Sequence, residues 1–449
     1  MRNRANRGRL LVIAYHFPPS VSVATFRLLR FLRHLSDCGW DVDVLTARKE
    51  RYAVRDPSLD AAIPRCVRVF RESASEALPS TSPPENRSAS ITVPRRLAPA
   101  GLLKRVVRSA RAWFPDAGGP MHWNRVIVQA GMDLVLRERY DCIYSTSGPL
   151  ACHAVAATLA RAGAIPWVAE FRDALSDNPY HISPTRWHRL RRLVSEERVV
   201  RAASCVVVTT RAHADLLEQR YGPGLGIMVV PNGYDPSEYG PAPSHAGRFV
   251  LVHAGNLYGS RSLEPLLLGW KEWIAGLPPG VEMPVLRFYG ESFNLEIGKF
   301  LTRNGLAGTV EAMGVRTHGE VMGALRGAGA SVVIKSPQDR VHIPGKLYES
   351  LGSGRPVLLL GPESEASRLV EGLGAGVWVS SSEPAAIAEG LRRISVQAGG
   401  SLEPPEEFRA DRLARVLAAA FDSASGRAIE RALPLPCESA LSGANLHAH

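Results

Sequence analysis

Short apolar runs alternate along this chain with longer stretches in which apolar residues recur every three or four positions. RLLVIAY (9–15), DVDVLTA (41–47), CIYSTS (142–147), PWVAEF (166–171) and CVVVTT (205–210) read as strands. Helical spacing occupies Thr25–Cys38, Arg125–Arg139, Leu150–Arg161 and Thr185–Ala202 between them. Strands that are mostly continuous apolar runs, separated by helices, belong to parallel sheets covered on both faces. A turn-rich stretch, YGPGLGIMVVPNGYDPSEYGPAPSHAGR (221–248), interrupts the series. The rhythm restarts with FVLVHAG (249–255), PVLRFYG (284–290), TVEAMGV (309–315), ASVVIKS (330–336), PVLLLG (356–361) and AGVWVS (375–380). The expected fold is therefore α/β, with two doubly wound domains facing across a cleft. The first spans 1–230 and the second 231–420, with 421–449 expected as a disordered tail. In such sheets ligands gather at the carboxyl ends of the strands.

Composition supports this division and narrows the partners. A length of 449 residues suits two domains of about 200 each. Hydrophobic content of 45% with 22% charged residues is that of a globular chain rather than a disordered one. The longest apolar runs, such as Val357–Leu360, fall far short of the roughly 20 residues that span a bilayer. The basic lead and the apolar run that ends at His16-Phe17-Pro18-Pro19 read as a first strand, not a signal peptide. Six scattered cysteines offer neither a zinc nor a redox spacing and fit free thiols in the cytoplasm. The net charge of +11 favours anionic partners: nucleic acid, sugar nucleotides or an anionic membrane face. Nucleic acid would call for a basic patch interleaved with stacking aromatics, and no such patch is evident. Residues 78–96 have loop composition and lead into LLKRVVRSARAWF (102–114), four basic residues without an acid. That segment fits a basic amphipathic helix at a membrane surface, or a helix packed on its own domain with solvated arginines.

Three segments are candidates for chemistry. Asp41 and Asp43 in DVDV share one face of a strand, as half-buried strands arrange them, with no further oxygen ligands to complete a cation site. GLGAG (372–376) fits a helix C-terminus before a strand. HIPGKLYESLGSGRPVLLLG (342–361) is more specific. Pro344 suits a first helical turn, and Gly345 lets a phosphate approach free backbone N–H groups at the positive end of the helix dipole. Lys346 adds a charge-assisted contact. Glu349, three residues on and on the same side, could accept hydrogen bonds from ribose hydroxyls, or could simply pair with Lys346.

These segments, taken in order, are familiar. LLVIAYHFPPS…RLLRFLRHLSDCGWDVDVLTAR, Pro115-Asp116…Trp123, YSTSGPLACHA, PWVAEFRDALSDNPY, CVVVTTRAHADLL, VVPNGYDPSEY, VHAGNLYGSR and IPGKLYESLGSGRPVLLLG run through residues 9–395. The series resembles the family 4-like glycosyltransferases of the GT-B fold, two facing Rossmann-like domains, particularly bacterial enzymes of surface-polysaccharide assembly. The resemblance implies that the C-terminal domain binds a nucleotide-diphosphate sugar and the N-terminal domain the acceptor, with retention and without metal or cofactor. It implies that Glu349 holds the ribose and that Arg261, six after Gly255, stabilises the diphosphate leaving group with Pro344, Gly345 and Lys346. His153 matches a histidine near the reacting sugar, or is a satisfied helix histidine. Arg172 and Asp173 in EFRD emerge at the cleft, where Asp173 could orient an acceptor hydroxyl, or form a structural ion pair. Asn232 and Gly233 lie at the cleft floor.

The chain departs from the family pattern at three places. Val341 stands where relatives carry a first glutamate, Ser20-Val21-Ser22 stand where relatives carry paired glycines, and Asn256 replaces an arginine whose charge Lys335 or Arg340 would have to supply. The expected function is a retaining glycosyltransferase that transfers sugar from a nucleotide-diphosphate sugar to a glycan or lipid-linked acceptor in cell-surface polysaccharide biosynthesis. It would work at the inner membrane face, touching an anionic membrane through 102–114. The departures leave open a catalytically weak GT-B protein that binds a sugar nucleotide or glycan in an assembly complex. A sugar-nucleotide epimerase of the same fold ranks behind both.

Overall fold

The computed structural model describes residues 7–73, 121–178, 185–241 and 248–427, apart from single positions 294, 381 and 399. Segments 78–96 and 102–114, with Pro115 and Asp116, lie outside the described residues. The described chain forms two parallel sheets with flanking helices.

The first sheet has seven strands: β1 (Gly8–Ala14), β2 (Trp40–Thr46), β3 (Arg68–Arg71), β4 (Cys142–Thr146), β5 (Trp167–Phe171), β6 (Cys205–Val208) and β7 (Ile227–Val229). Their order is β3-β2-β1-β4-β5-β6-β7, all parallel. The second sheet has six: β8 (Val250–Ala254), β9 (Val285–Tyr289), β10 (Val310–Gly314), β11 (Ala330–Ile334), β12 (Val357–Leu360) and β13 (Gly376–Val379). They run β10-β9-β8-β11-β12-β13. Each sheet buries apolar side chains on both faces, which explains why the strands read as apolar runs rather than alternating patterns.

The strand order reverses at β1 in one sheet and at β8 in the other, between β1 and β4 and between β8 and β11. Those reversals open a crevice beyond the carboxyl ends of the strands, where doubly wound sheets bind ligands. Helix α1 (Val23–Leu35) leaves the crevice edge of the first sheet, with the Ser22 hydroxyl accepting from Ala24 N–H as its cap.

The expected division needs one correction. The C-terminal helix Ala410–Ser425 crosses back to the first lobe instead of closing the second. Its Leu413, Leu417 and Phe421 join the core of β1, β2 and α1, and Phe421 packs edge-on to Trp40 and Tyr144. Sequence could not give this packing, because an amphipathic helix fixes a buried face and not what covers it. Residues 421–425 are thus helical, and 428–449 lie outside the described residues.

Candidate functional site

The stretch before β12 folds as expected at its tip. A helix runs from Gly345 to Gly352, with Pro344 one position before its first residue at φ −57° and ψ 132°. That conformation suits proline and leaves the first amides of the helix free of intrahelical partners. A Cβ placed on Gly345 would meet only Val23 Cγ1 at 3.7 Å and Asn232 Nδ2 at 4.0 Å. The tip of this helix therefore faces the start of α1 across the crevice, so two positive helix ends converge on one place.

The loops after β8 and β9 form the flank. Gly255 lies against Lys346, and Gly290, at φ +124°, passes so close to Gly255 that a Cβ there would fall 2.6 Å from the Gly255 carbonyl oxygen. Only glycine fits that crossing. Asn256 is exposed, and its Oδ1 accepts from Glu291 N–H at 2.9 Å, tying the two loops together. Asn256 supplies structure here, and no positive charge. Arg261 lies over the Tyr258 ring, 4.1 Å from its centroid. Beneath them His253 is buried; burial, and then the charges of Arg261 and Lys346, push its pKa down to about 3. Ser260 Oγ and Ser336 Oγ, 2.7 Å apart, join the loop after β8 to the loop after β11. Next to Ser336, Lys335 is 3% exposed and its Nζ has no hydrogen-bond partner among the described residues. Burial lowers its pKa to about 8, with Asp339 and Glu365 acting in opposition.

Glu349 is the most constrained member of the set. One carboxylate oxygen receives Arg30 Nη2 at 2.9 Å, and the other is 2.7 Å from Lys346 Nζ. Burial would raise its pKa, but Lys346 and Arg30 outweigh it and hold the carboxyl at about 2. Arg30 also binds Glu238 at 2.6 Å, and Arg33 reaches both Asp235 and Glu238. Further along the crevice Arg27 pairs with buried Glu170 at 2.8 Å and with Asn232 Oδ1 at 3.1 Å, and it donates to the carbonyls of Val230 and Pro231. Asn232 thus sits between Arg27 and the helix tip, at the crevice floor. Arg27, Arg30 and Arg33 were not singled out by sequence reading. The available signal was their i, i+3, i+6 spacing in an otherwise apolar helix, which puts all three on one face.

On the first lobe the expected residues separate. Asp173 is exposed at the carboxyl end of β5. Arg172 donates to Thr146 Oγ1 at 3.1 Å and to the Ser147 carbonyl. His153 does not reach the crevice. It is 0% exposed, packed on Trp167 and Phe171, with Nδ1 2.8 Å from Ser145 Oγ, and burial pushes its pKa down to about 3. Its Nε2 has no hydrogen-bond partner among the described residues. His16 is the histidine nearer the opening, half-buried after β1, its pKa lowered to about 4 by burial and by Arg172. Asp43 is occupied by Arg9, Arg68 and Tyr140 and so serves the first sheet. No cluster of histidine, cysteine, aspartate and glutamate suited to a metal ion occurs among the described residues.

The lobes also touch opposite Arg30. Ala174 N–H donates to His342 Nε2 at 2.8 Å, whose Nδ1 lies 2.9 Å from Asp339, and Thr210 Oγ1 donates to the Val341 carbonyl at 2.8 Å. Glu365 accepts from the Arg211 and Ala212 amides at 3.2 and 3.0 Å, capping a first-lobe helix with a second-lobe carboxylate.

Two doubly wound lobes facing across such a crevice define the GT-B architecture. Residues 24–233, just under half of the chain, match the family described as glycosyl transferase 4-like domain. Solved structures agree with the fold along nearly the whole length. Sucrose-phosphate synthase from Thermosynechococcus elongatus superposes with a TM-score of 0.60 at 15% identity, covering 94% of each chain. Anabaena HepE in complex with UDP and glucose gives 0.58 at 17% identity, covering 93% of this chain and 100% of the other. The lipopolysaccharide outer core galactosyltransferase WaaB gives 0.52 at 11%, covering 92% and 99%. No match is found among curated protein sequences. Among the described residues no helix is long and apolar enough to cross a membrane.

Proposed function

We propose that this chain is a retaining glycosyltransferase that moves a sugar from a nucleotide-diphosphate donor to a glycan or lipid-linked acceptor in cell-surface polysaccharide synthesis. The observation that carries the donor site is the helix tip at Pro344–Lys346, which faces the start of α1 and is flanked by Gly255 and Arg261. Free amides, two helix ends and at least two cations in one crevice suit a pyrophosphate. The fold-level likeness to a HepE structure in complex with UDP and glucose supports a nucleotide-sugar donor.

In this reading the acceptor hydroxyl attacks the anomeric carbon from the side that the diphosphate leaves. The electrons of the breaking C–O bond pass to the β-phosphate oxygen, which also takes the hydroxyl proton. Arg261, Lys346 and the helix end stand where that negative charge grows, the placement with the largest electrostatic return. Glu349 holds the ribose, Lys335 replaces the cation missing at Asn256, and Asp173 orients the acceptor hydroxyl. No cofactor or metal enters the scheme. A peripheral membrane contact through 102–114 accompanies it, on residues outside those described.

A second reading, a sugar-nucleotide-binding protein with little turnover, is favoured by one observation: both Glu349 oxygens are already engaged. A donor-turnover assay with a panel of nucleotide sugars separates the two. The transferase releases nucleoside diphosphate in step with product, and Arg261→Ala loses about a hundredfold or more in turnover. Saturable donor binding without release, in the presence of competent acceptors, would favour the second reading.

A further inference from the structure

The helix Arg186–Ala202 turns one end outward in a way that nothing in donor binding explains. Its buried side is confined to the later turns, at Ser195, Glu196, Val199 and Val200. The first turns carry Arg186, Arg189, Arg191 and Arg192 with no acid, and Trp187 is 73% and Leu190 49% exposed. At 100° per residue, Arg186, Leu190, Trp187 and Arg191 fall in that order on one face, opposite the buried one. Glu196, the first acid along the helix, is turned inward to Arg220 and Tyr221. An indole and a leucine in water, bracketed by arginines, combine apolar surface with positive charge at one spot.

The place of this end matters as much as its composition. The helix follows β5, whose carboxyl end with Asp173 opens on the crevice, so its first turns lie at the crevice edge of the first lobe. We propose that Arg186–Arg191 is a docking surface for an anionic phospholipid bilayer, which sets the crevice beside the lipid-water boundary. Tryptophan and leucine enter the interface while arginines bury their stems and keep their heads at the phosphates. Charge complementarity selects an anionic lipid surface. A nucleic acid would use a run of stacking aromatics, and this face has one.

The test uses the full chain with vesicles of phosphatidylcholine alone and of phosphatidylcholine mixed with phosphatidylglycerol, in the absence of donor and acceptor. The chain should sediment with the mixed vesicles only. Arg186→Glu with Arg191→Glu should weaken that partition about tenfold or more. The emission of Trp187, taken as the difference from Trp187→Phe, should shift to the blue on binding. Nucleotide binding by both variants should match the parent, which shows that they fold. Undiminished vesicle binding by the double charge variant, or an unshifted Trp187, overturns the proposal. So does a wild-type chain that ignores vesicles and binds duplex DNA or an acidic protein through these residues. Vesicle binding is read without sugar transfer, so failure here leaves the donor site standing, and failure there leaves this surface standing.

Discussion

At the residue scale, Glu349 is held by one cation from each lobe, and its chemistry follows from that. Arg30 and Lys346 take one carboxylate oxygen each, which fixes the group's orientation while leaving lone pairs for two ribose hydroxyls. Glu349→Gln should weaken nucleoside diphosphate binding, and Arg30→Met should raise the donor KM about tenfold through loss of a charge-assisted bond, with kcat changed less. Equal nucleotide affinity in calorimetry would detach both residues from the donor. The same pair sets an acid limit. Glu349 and Glu238 are both held at about 2 against an ordinary 4.5, burial opposing and cationic partners prevailing. Their stabilising effect is complete above the unfolded value and is lost as pH falls from about 4.5 toward 2. Arg30→Met should therefore move the acid-unfolding midpoint upward, and an unmoved midpoint counts against the network. Lys335 acts at the other extreme. Charged below about 8, it should lend affinity for diphosphate that fades as pH rises through that value, and Lys335→Met should flatten the profile.

At the scale of single elements, the helix tip makes a sharper prediction, because fold and function pull apart there. A methyl on Gly345 meets only ordinary contacts at 3.7 and 4.0 Å, and alanine is the better helix former. Gly345→Ala should keep or slightly raise the melting temperature while nucleotide affinity falls, since the methyl takes the space a phosphate needs. A loss of stability instead would mean that the tip is misplaced. The tip was legible in sequence because Pro, Gly and Lys each act locally, through a fixed φ, a missing Cβ and a nearby charge. Most strands were legible for a similar reason, as runs of apolar residues. β3, Arg68–Arg71, was missed because two of its four residues are arginines, and β7 because its three residues sit inside a Gly/Pro-rich stretch. The burial of His153 was not legible, because sequence order places it near the crevice edge while the helix packs its ring against Trp167 and Phe171. The arginines of α1 were missed because their partners, Glu170, Glu238 and Glu349, lie 143 to 319 residues away.

At the scale of the whole molecule, the lobes are joined by more than the chain that links them. The helix Ala410–Ser425 returns from the second lobe to the first, and Phe421 fills the space between Trp40 and Tyr144. Phe421→Ala should cost about 3–5 kcal/mol in denaturant unfolding, although the residue lies outside the domain that sequence rhythm assigns to the first sheet. Arg30–Glu349 on one side and the Thr210–Val341, Ala174–His342 and Glu365 contacts on the other bring the crevice walls together. The claim on which the rest depends is that the diphosphate lies between those walls at the helix tip. Co-crystallisation with UDP or GDP tests it directly. The account predicts phosphate oxygens within hydrogen-bond reach of the Gly345 and Lys346 amides and of the Lys346 or Arg261 side chain, with the ribose on Glu349. A nucleotide bound elsewhere, with the tip untouched and Glu349 still closed between Arg30 and Lys346, would contradict it.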